Sequence, residues 1–483
     1  MCIYKNLTSG ENLDERLRTS PPARTLAKYM KLTKEQAIIS ISFFVILLGL
    51  SLAFFSVSKS PKQRVEERKI IRLEEQEKKK EEKIDVSLFS LIKRLTGFEK
   101  EMSYLILFQN NLEIRPTGGF VSSFATTKVE NAKPKDFNFY DTAVFDIQLS
   151  TPTQIEPPMP IKKYLWVKNW QFRDGNWSAD FPTSARKMIE FYQLQGGQEE
   201  FDGVIALTTE VLKSLLAIYG PIEMADYGLV IDEDNFLLTI EQQVEIDFKD
   251  QGITRTDRKN ILKDLAQVLM NKVLSSNPLK SFKLISLAQN HLNKKDILLY
   301  FNDEIIQNDI KKLGWSGGVA QTESDYIFIV DSNVNAFKAD YFINRSFKYE
   351  VDLSQSPAKA RLTISYDHTA EEKSWLVRDY TNWLRVYVPE GSWFTNTNGL
   401  ETEPEYSKEH GKTFLAGLAR TPINSLKDVV LEYDLPNNFE ADDYKLYIQK
   451  QPGIGPLPVE IVITRPDGTK EVVKETIETD KTI

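Results

Sequence analysis

The chain has 483 residues, 41% of them hydrophobic and 11% aromatic, which suits two or three globular cores and excludes a disordered polymer. Its formal charge of -8 provides no general basic field for nucleic acid, so a polyanion would need a local patch. One cysteine, Cys2, and three scattered histidines, His291, His368 and His410, exclude an internal disulfide framework, a cysteine metal site and a multi-histidine centre.

In chain order, residues 1–36 read as a cytoplasmic tail. Ala37 to Val57 is an uncharged run of 21 residues, long enough to cross a bilayer as one helix. Basic residues flank it on both sides, so charge does not orient it. The expected arrangement is a single-pass anchor in the cell membrane, with the large C-terminal region outside the cytoplasm. Residues 58–83 are mostly charged, with helix-spaced pairs Glu74 with Lys78 and Glu75 with Lys79, and predict a solvated helical stalk. Only Val65, Ile70, Ile71 and Leu73 are apolar within the charged run, too few to sustain a coiled-coil seam.

From residue 84 to 338 strand and helix signals alternate. A helix from Asp85 stops at Gly97. Strands are expected at Tyr104 to Gln109, Phe120 to Val129, Asp202 to Leu207, Asp296 to Phe301 and Asp325 to Asp331. Helices are expected at Thr183 to Gln195, Thr208 to Tyr219, Thr256 to Ser275, Pro278 to Asn293 and Asp303 to Leu313, several of them closed by glycine. This interleaving predicts an α/β domain, a mixed sheet covered by helices. Residues 339–483 lose the helical period and show short β-rich runs between Pro and Gly turns. They predict a C-terminal antiparallel β-sandwich, immunoglobulin-like in general type.

Two clusters carry candidate chemistry. Arg115, Thr117, Gly118 and Gly119 in IRPTGGF offer a guanidinium fork and glycines that let backbone N–H groups approach an oxyanion. The same residues also suit a tight turn with Arg115 paired to Glu113, and on the residues alone the two readings stand level. The second cluster, Arg173 to Arg186, puts Arg173, Asp174 and Asp180 before a helix start with Pro182 in its first turn, a place for an anion or a metal-bound anion. Its competing reading is that Asp174 and Asp180 cap the turn while Trp177 packs in a core. A calcium hand fails, because Ala179 and Ala185 stand where glycine and glutamate are required. Gly411-Lys-Thr413 lacks the first glycine of a nucleotide loop, and no H-E-x-x-H motif occurs.

Taken together, YLILFQNNLEIRPTGGF, FRDGNWSADFPTSARKMIEFY, FDGVIALTTEVLKSLLAIYGPIEM and SDYIFIVDSNVNAFKADYFINR closely resemble a bacterial membrane-anchored family of unknown function, DUF4012. More distantly, Arg115, Arg173-Asp174, Gly196-Gly197, Asp202-Gly-Val-Ile and Gly220-Pro-Ile resemble the pattern of the extracytoplasmic LytR-CpsA-Psr phosphotransferases. That second resemblance implies a cell-envelope protein that binds a polyprenyl pyrophosphate-linked glycan and transfers it to peptidoglycan. It implies catalytic roles for Arg115, Arg173, Asp174 and Asp180, with Mg²⁺ held by Asp174 and Asp180. Asn110, Asn111, Glu113, Thr117, Gly118, Gly119 and Arg186 would contact the substrate. The chain departs from the pattern at Thr117, where those enzymes carry an acid, and adds a helical insertion from Asp226 to Leu292. A non-catalytic envelope or adhesion protein is the alternative expectation.

Overall fold

The structure is a computed structural model and describes residues 88, 90–147, 154–436, 439 and 442–483. The expected anchor at 37–57, the stalk and the first turn of the helix from Asp85 lie outside the described residues. No helix among the described residues is long and apolar enough to cross a membrane.

The first unit is built on a mixed six-stranded sheet. Strands β1 (Met102–Asn110) and β2 (Phe120–Glu130) form an antiparallel pair joined by the IRPTGGF turn. The short β3 (Lys133–Pro134) and β4 (Asn138–Asp141) flank β2. Helices α1 (Thr142–Ile147), α2 (Met159–Tyr164) and α3 (Phe181–Leu194) follow. Then β5 (Gly203–Thr208) joins parallel to β1, and β8 (Ile297–Phe301) closes the far edge antiparallel to β5.

The period of two along β1 sorts its side chains to opposite faces. Leu105 and Leu107 join Phe181, Met188 and Phe191 of α3 in one core. Tyr104, Ile106 and Ile205 face the other way. There they meet Val211 of α4 (Thr209–Tyr219) and Leu292 of a later helix. Every residue of β5 is buried, as expected of a central strand covered on both faces.

Between α4 and β8 the chain builds a side structure with its own core. It comprises the hairpin β6 (Ile222–Met224) and β7 (Leu229–Ile231), α5 (Phe236–Glu245), α6 (Asn260–Leu274) and α7 (Pro278–Lys294). After β8, α8 (Glu304–Lys312) is capped by Asp303, whose carboxylate accepts from the Ile305 and Ile306 N–H groups.

The second unit is a sandwich of two six-stranded sheets around a large core. One sheet has β10 (Ile343–Asp352), β11 (Lys359–His368), β13 (Trp393–Asn398), β16 (Ser425–Asp434), β18 (Leu457–Thr464) and β19 (Lys470–Ile477). The other has β9 (Asp325–Val330), β12 (Tyr380–Pro389), β14 (Glu405–Glu409), β15 (Lys412–Thr421), β17 (Leu446–Gln449) and β20 (Lys481–Thr482).

Two differences from the sequence expectation follow from strand pairing. β10 runs parallel to β18 and β9 parallel to β17, so the sandwich is mixed rather than antiparallel. The strand assigned above to the α/β unit, Asp325 to Asp331, is β9, and it hydrogen-bonds to β12 and β17 inside the sandwich. Apolar alternation identifies a strand, but its partner here lies more than fifty residues away, and pairing at that range leaves no local mark.

Candidate functional site

The IRPTGGF turn forms the joint between the two units. The Ile114 N–H donates to Asp340 Oδ2 at 3.0 Å, and the Asn333 N–H donates to the Ile114 carbonyl at 3.0 Å. Arg115 is 2% exposed. Its Nη1 donates to the Asn333 carbonyl at 2.5 Å, and its Nη2 meets Glu113 Oε1 at 2.8 Å. Gln451 Nε2 in turn donates to the Arg115 carbonyl at 3.1 Å. The guanidinium lies over the Phe120 ring, 5.5 Å from its centroid. Burial alone would raise the Glu113 carboxyl, but Lys338 and Arg115 outweigh it and hold the carboxyl below the ordinary glutamate value.

The glycines serve close approach. Gly118 has a φ of +127°, and a Cβ on Gly119 would fall 2.4 Å from the Asn110 carbonyl. Thr117 Oγ1 donates to Gln109 Oε1 at 2.6 Å, and Asn176 Nδ2 donates to Thr117 Oγ1, Gln109 Oε1 and the Gly119 carbonyl, each at 2.9 Å. Of the two readings of IRPTGGF, this geometry matches the tight turn with Arg115 paired to Glu113.

The other candidates separate. Asp180 is the N-cap of α3: its Oδ2 accepts from the Thr183 N–H and hydroxyl, and its Oδ1 from the Val319 N–H. Asp174 is buried, and burial pushes its carboxyl up to about 6 even with Arg115 and Arg173 nearby. Among the described residues no three His, Cys, Asp or Glu side chains converge on a metal position. With Asp180 committed to its cap, the pair does not fit Mg²⁺. Arg186 donates to Thr183 Oγ1 and lies over the Tyr300 ring, apart from the turn. Asn111 Nδ2 donates to the Gly453 carbonyl at 3.3 Å and so belongs to the joint.

Arg173 does reach an opening. It lines a cavity of about 370 Å³ between the sheet and the side structure, a volume in the range of small-molecule sites. Ile106 and Phe108 of β1 form its floor, Val211, Leu212 and Leu215 of α4 one wall, and Phe236, Ile240, Val244 and Leu262 of α5 and α6 its roof. Phe120 also lines it, so Arg115 sits one side chain behind the wall and does not share the opening with Arg173.

The rim is polar and carries five cations, Arg173, Arg255, Arg258, Lys259 and Lys338, against two acids, Glu241 and Glu245. Arg173 Nε lies 2.8 Å from Asp146 Oδ2, and Arg258 Nη1 lies 2.9 Å from Glu245 Oε2. Lys259 Nζ ties α6 to the sheet through Asp141 Oδ1 and the Ser122 carbonyl, at 2.8 and 2.7 Å. Arg255 is exposed. Asn110 Nδ2 donates to Glu241 Oε1 at 2.7 Å, and burial raises the Glu241 carboxyl in spite of Lys338.

Sequence reasoning identified Arg173, Asn110 and the insertion but missed Arg255, Arg258, Lys259 and Glu241 beside them. The available signal was the basic run Arg255 to Lys259 inside an amphipathic insertion that the sheet itself does not require.

A Ser–His–Asp line also occurs: His291 Nδ1 is 2.7 Å from Asp296 Oδ2 and its Nε2 is 3.0 Å from Ser214 Oγ. Ser214 lies in the middle of α4, where the neighbouring N–H groups are spent on the helix ladder and cannot stabilise an oxyanion. The line reads as a tie between α4 and the end of α7.

The segment holding β1, the turn, the Arg173 cluster, β5, α4 and most of α5 now has a counterpart among known families. Residues 99–244 match the family described as protein of unknown function (DUF4012). The DUF4012 segment is thus less than a third of the chain, and it includes the turn, Arg173 and part of the cavity roof. No curated protein matches the chain. Among solved structures, the chain is similar to Legionella pneumophila aminopeptidase A in complex with aspartic acid at 9% identity and a TM-score of 0.17. That likeness covers 28% of this chain and 17% of the other, and it carries no argument.

Proposed function

We propose that the protein is a membrane-anchored cell-envelope protein whose cavity holds the apolar chain of a polyprenyl pyrophosphate-linked glycan, with the diphosphate on the cationic rim. The observation that carries this reading is a cavity whose lining pairs an apolar interior with five cations. Guanidinium forks bind phosphate oxygens in bidentate fashion, and each methylene moved out of water contributes about 0.8 kcal/mol. The LytR-CpsA-Psr resemblance supports the same ligand class through Arg173, whereas Arg115 would act only as a positioning residue, through Glu113 and Lys338.

Transfer of the glycan to a cell-wall acceptor is the reaction such a ligand offers. An acceptor hydroxyl would attack the glycan-side phosphorus, forming a phosphodiester and releasing polyprenyl phosphate, and its proton would pass to a carboxylate. Glu241, on the cavity wall with its carboxyl raised by burial, is the group best suited to take it. The reading of a non-catalytic envelope protein draws support from Asp180 and Arg115, both committed to structural bonds.

The test is titration of the full chain with prenyl diphosphates. Farnesyl diphosphate is expected to bind at least roughly 100-fold tighter than dimethylallyl diphosphate, ~2.7 kcal/mol from the added apolar length. Leu212→Trp, which fills the cavity, should abolish the difference, and Arg255→Ala should weaken both ligands. Equal affinity for the two, or undiminished binding in Leu212→Trp, overturns the proposal.

A further inference from the structure

Trp166 is the most exposed large apolar side chain among the described residues, at 86%, and it sits in the left-handed region at a φ of +58°. Both features are costly: a bulky side chain rarely adopts that backbone, and water gains an indole face. The segment is nonetheless not loose. Ile161 is buried, and Tyr164, Leu165 and Val167 pack with Trp383 and Leu418 of the sandwich, so the residues on both sides of Trp166 are pinned while its ring is turned outward. A conformation over-determined by its neighbours and strained at one exposed aromatic points to a contact made there.

The chemistry around the ring narrows the partner. Lys162, Lys163 and Lys168 are exposed beside it, Met159 is 41% exposed, and Glu156 is the one acid in the segment from 155 to 170, bridged to Lys162. An exposed indole flanked in sequence by exposed lysines suits the interface of an anionic bilayer, where the ring sits at headgroup depth and ammonium groups meet lipid phosphates. Seven positions further on, Arg173 stands on the cavity rim, and its Nη2 is held by Gln171 Oε1 at 2.7 Å.

We infer that the Met159–Lys168 segment docks on the surface of an anionic membrane, with Trp166 inserted at headgroup level. The inference stands on residues outside the cavity, so it succeeds or fails independently of the proposed ligand.

The protein has seven tryptophans, and the uncharged run at 37–57 holds none, so lipid-borne quenching must come from the folded part. The full chain is reconstituted in vesicles of phosphatidylglycerol with brominated acyl chains, and tryptophan emission is compared with unbrominated vesicles. The expected loss is up to roughly one-seventh of the emission. It should vanish in Trp166→Ala and persist in Trp393→Ala, a control that removes another exposed ring. It should also fall in vesicles of phosphatidylcholine alone and in the variant with Lys162, Lys163 and Lys168 replaced by Gln. No quenching, or quenching unchanged by Trp166→Ala, overturns the inference. Shielding of Trp166 from aqueous iodide without bromolipid quenching also overturns it, in favour of a protein partner.

Discussion

Replacing Arg115 by alanine separates a structural arginine from a ligand-binding one. The residue is 2% exposed, its salt bridge to Glu113 is 2.8 Å long, and its Nη1 donates across the joint to the Asn333 carbonyl. Breaking a buried pair by removing one partner costs about 3–5 kcal/mol, because the remaining charge stays desolvated. Here Lys338 Nζ remains 3.1 Å from Glu113 Oε2 and offsets part of that penalty, which sets the expectation near the lower end, about 3 kcal/mol. Lost bonds to the Ile114 and Asn333 carbonyls are part of the same total, since contacts in one network are not additive. Urea unfolding of the purified chain, followed by tryptophan emission, measures it. Because Arg115 bonds to both units, its loss should also lower the cooperativity between them. Arg255→Ala, on the exposed rim, should change stability by no more than about 0.5 kcal/mol. Arg115→Met combined with Glu113→Gln should recover little of the loss, because it also strips buried Lys338 of Glu113 and leaves it only Glu241, 4.0 Å away. The reasoning is refuted if Arg115→Ala unfolds within about 1 kcal/mol of the wild type while losing prenyl diphosphate binding.

Three further outcomes follow from named contacts. Burial raises the Asp174 carboxyl to about 6, so the folded chain holds that proton more tightly than the unfolded one, and stability falls as pH rises from about 4 through 6. Asp174→Asn should therefore stabilise the protein at pH 7, by up to ~3 kcal/mol, and lose that advantage below about pH 4; equal stability gains at pH 4 and 7 would exclude the titration as cause. Gly453→Ala would set a Cβ 2.1 Å from the Gly118 carbonyl at a φ of +76°, and should destabilise by more than about 2 kcal/mol in thermal unfolding, whereas Gly455→Ala, with open space around it, should be silent. Ser214→Ala should cost only about 1 kcal/mol, for one hydrogen bond to His291, and the wild type should resist fluorophosphonate; labelling at Ser214 would instead show a nucleophile.

The sequence by itself determined the local elements. The run from Tyr104 to Gln109 and the helix from Thr183 announce themselves because burial imposes a period of two or 3.6 on neighbouring residues, and Gly220 ends α4 where it was expected. It left the IRPTGGF stretch open between an anion site and a tight turn, and it showed that an amphipathic insertion lies between α4 and β8. Only the tertiary structure decided what those parts face. Glu113 is two residues from Arg115, but Asn333 and Gln451 are hundreds away, and their arrival makes the arginine a buried joint rather than an open clamp. The same holds for β9, which takes its partners from the sandwich, and for the rim that gathers Arg173, Arg255, Lys259 and Lys338 around one opening. A side chain's charge and size are local properties. Its solvation and partners are set by chain segments that reach it only after folding, so the chemistry of each cation here was decided at that level.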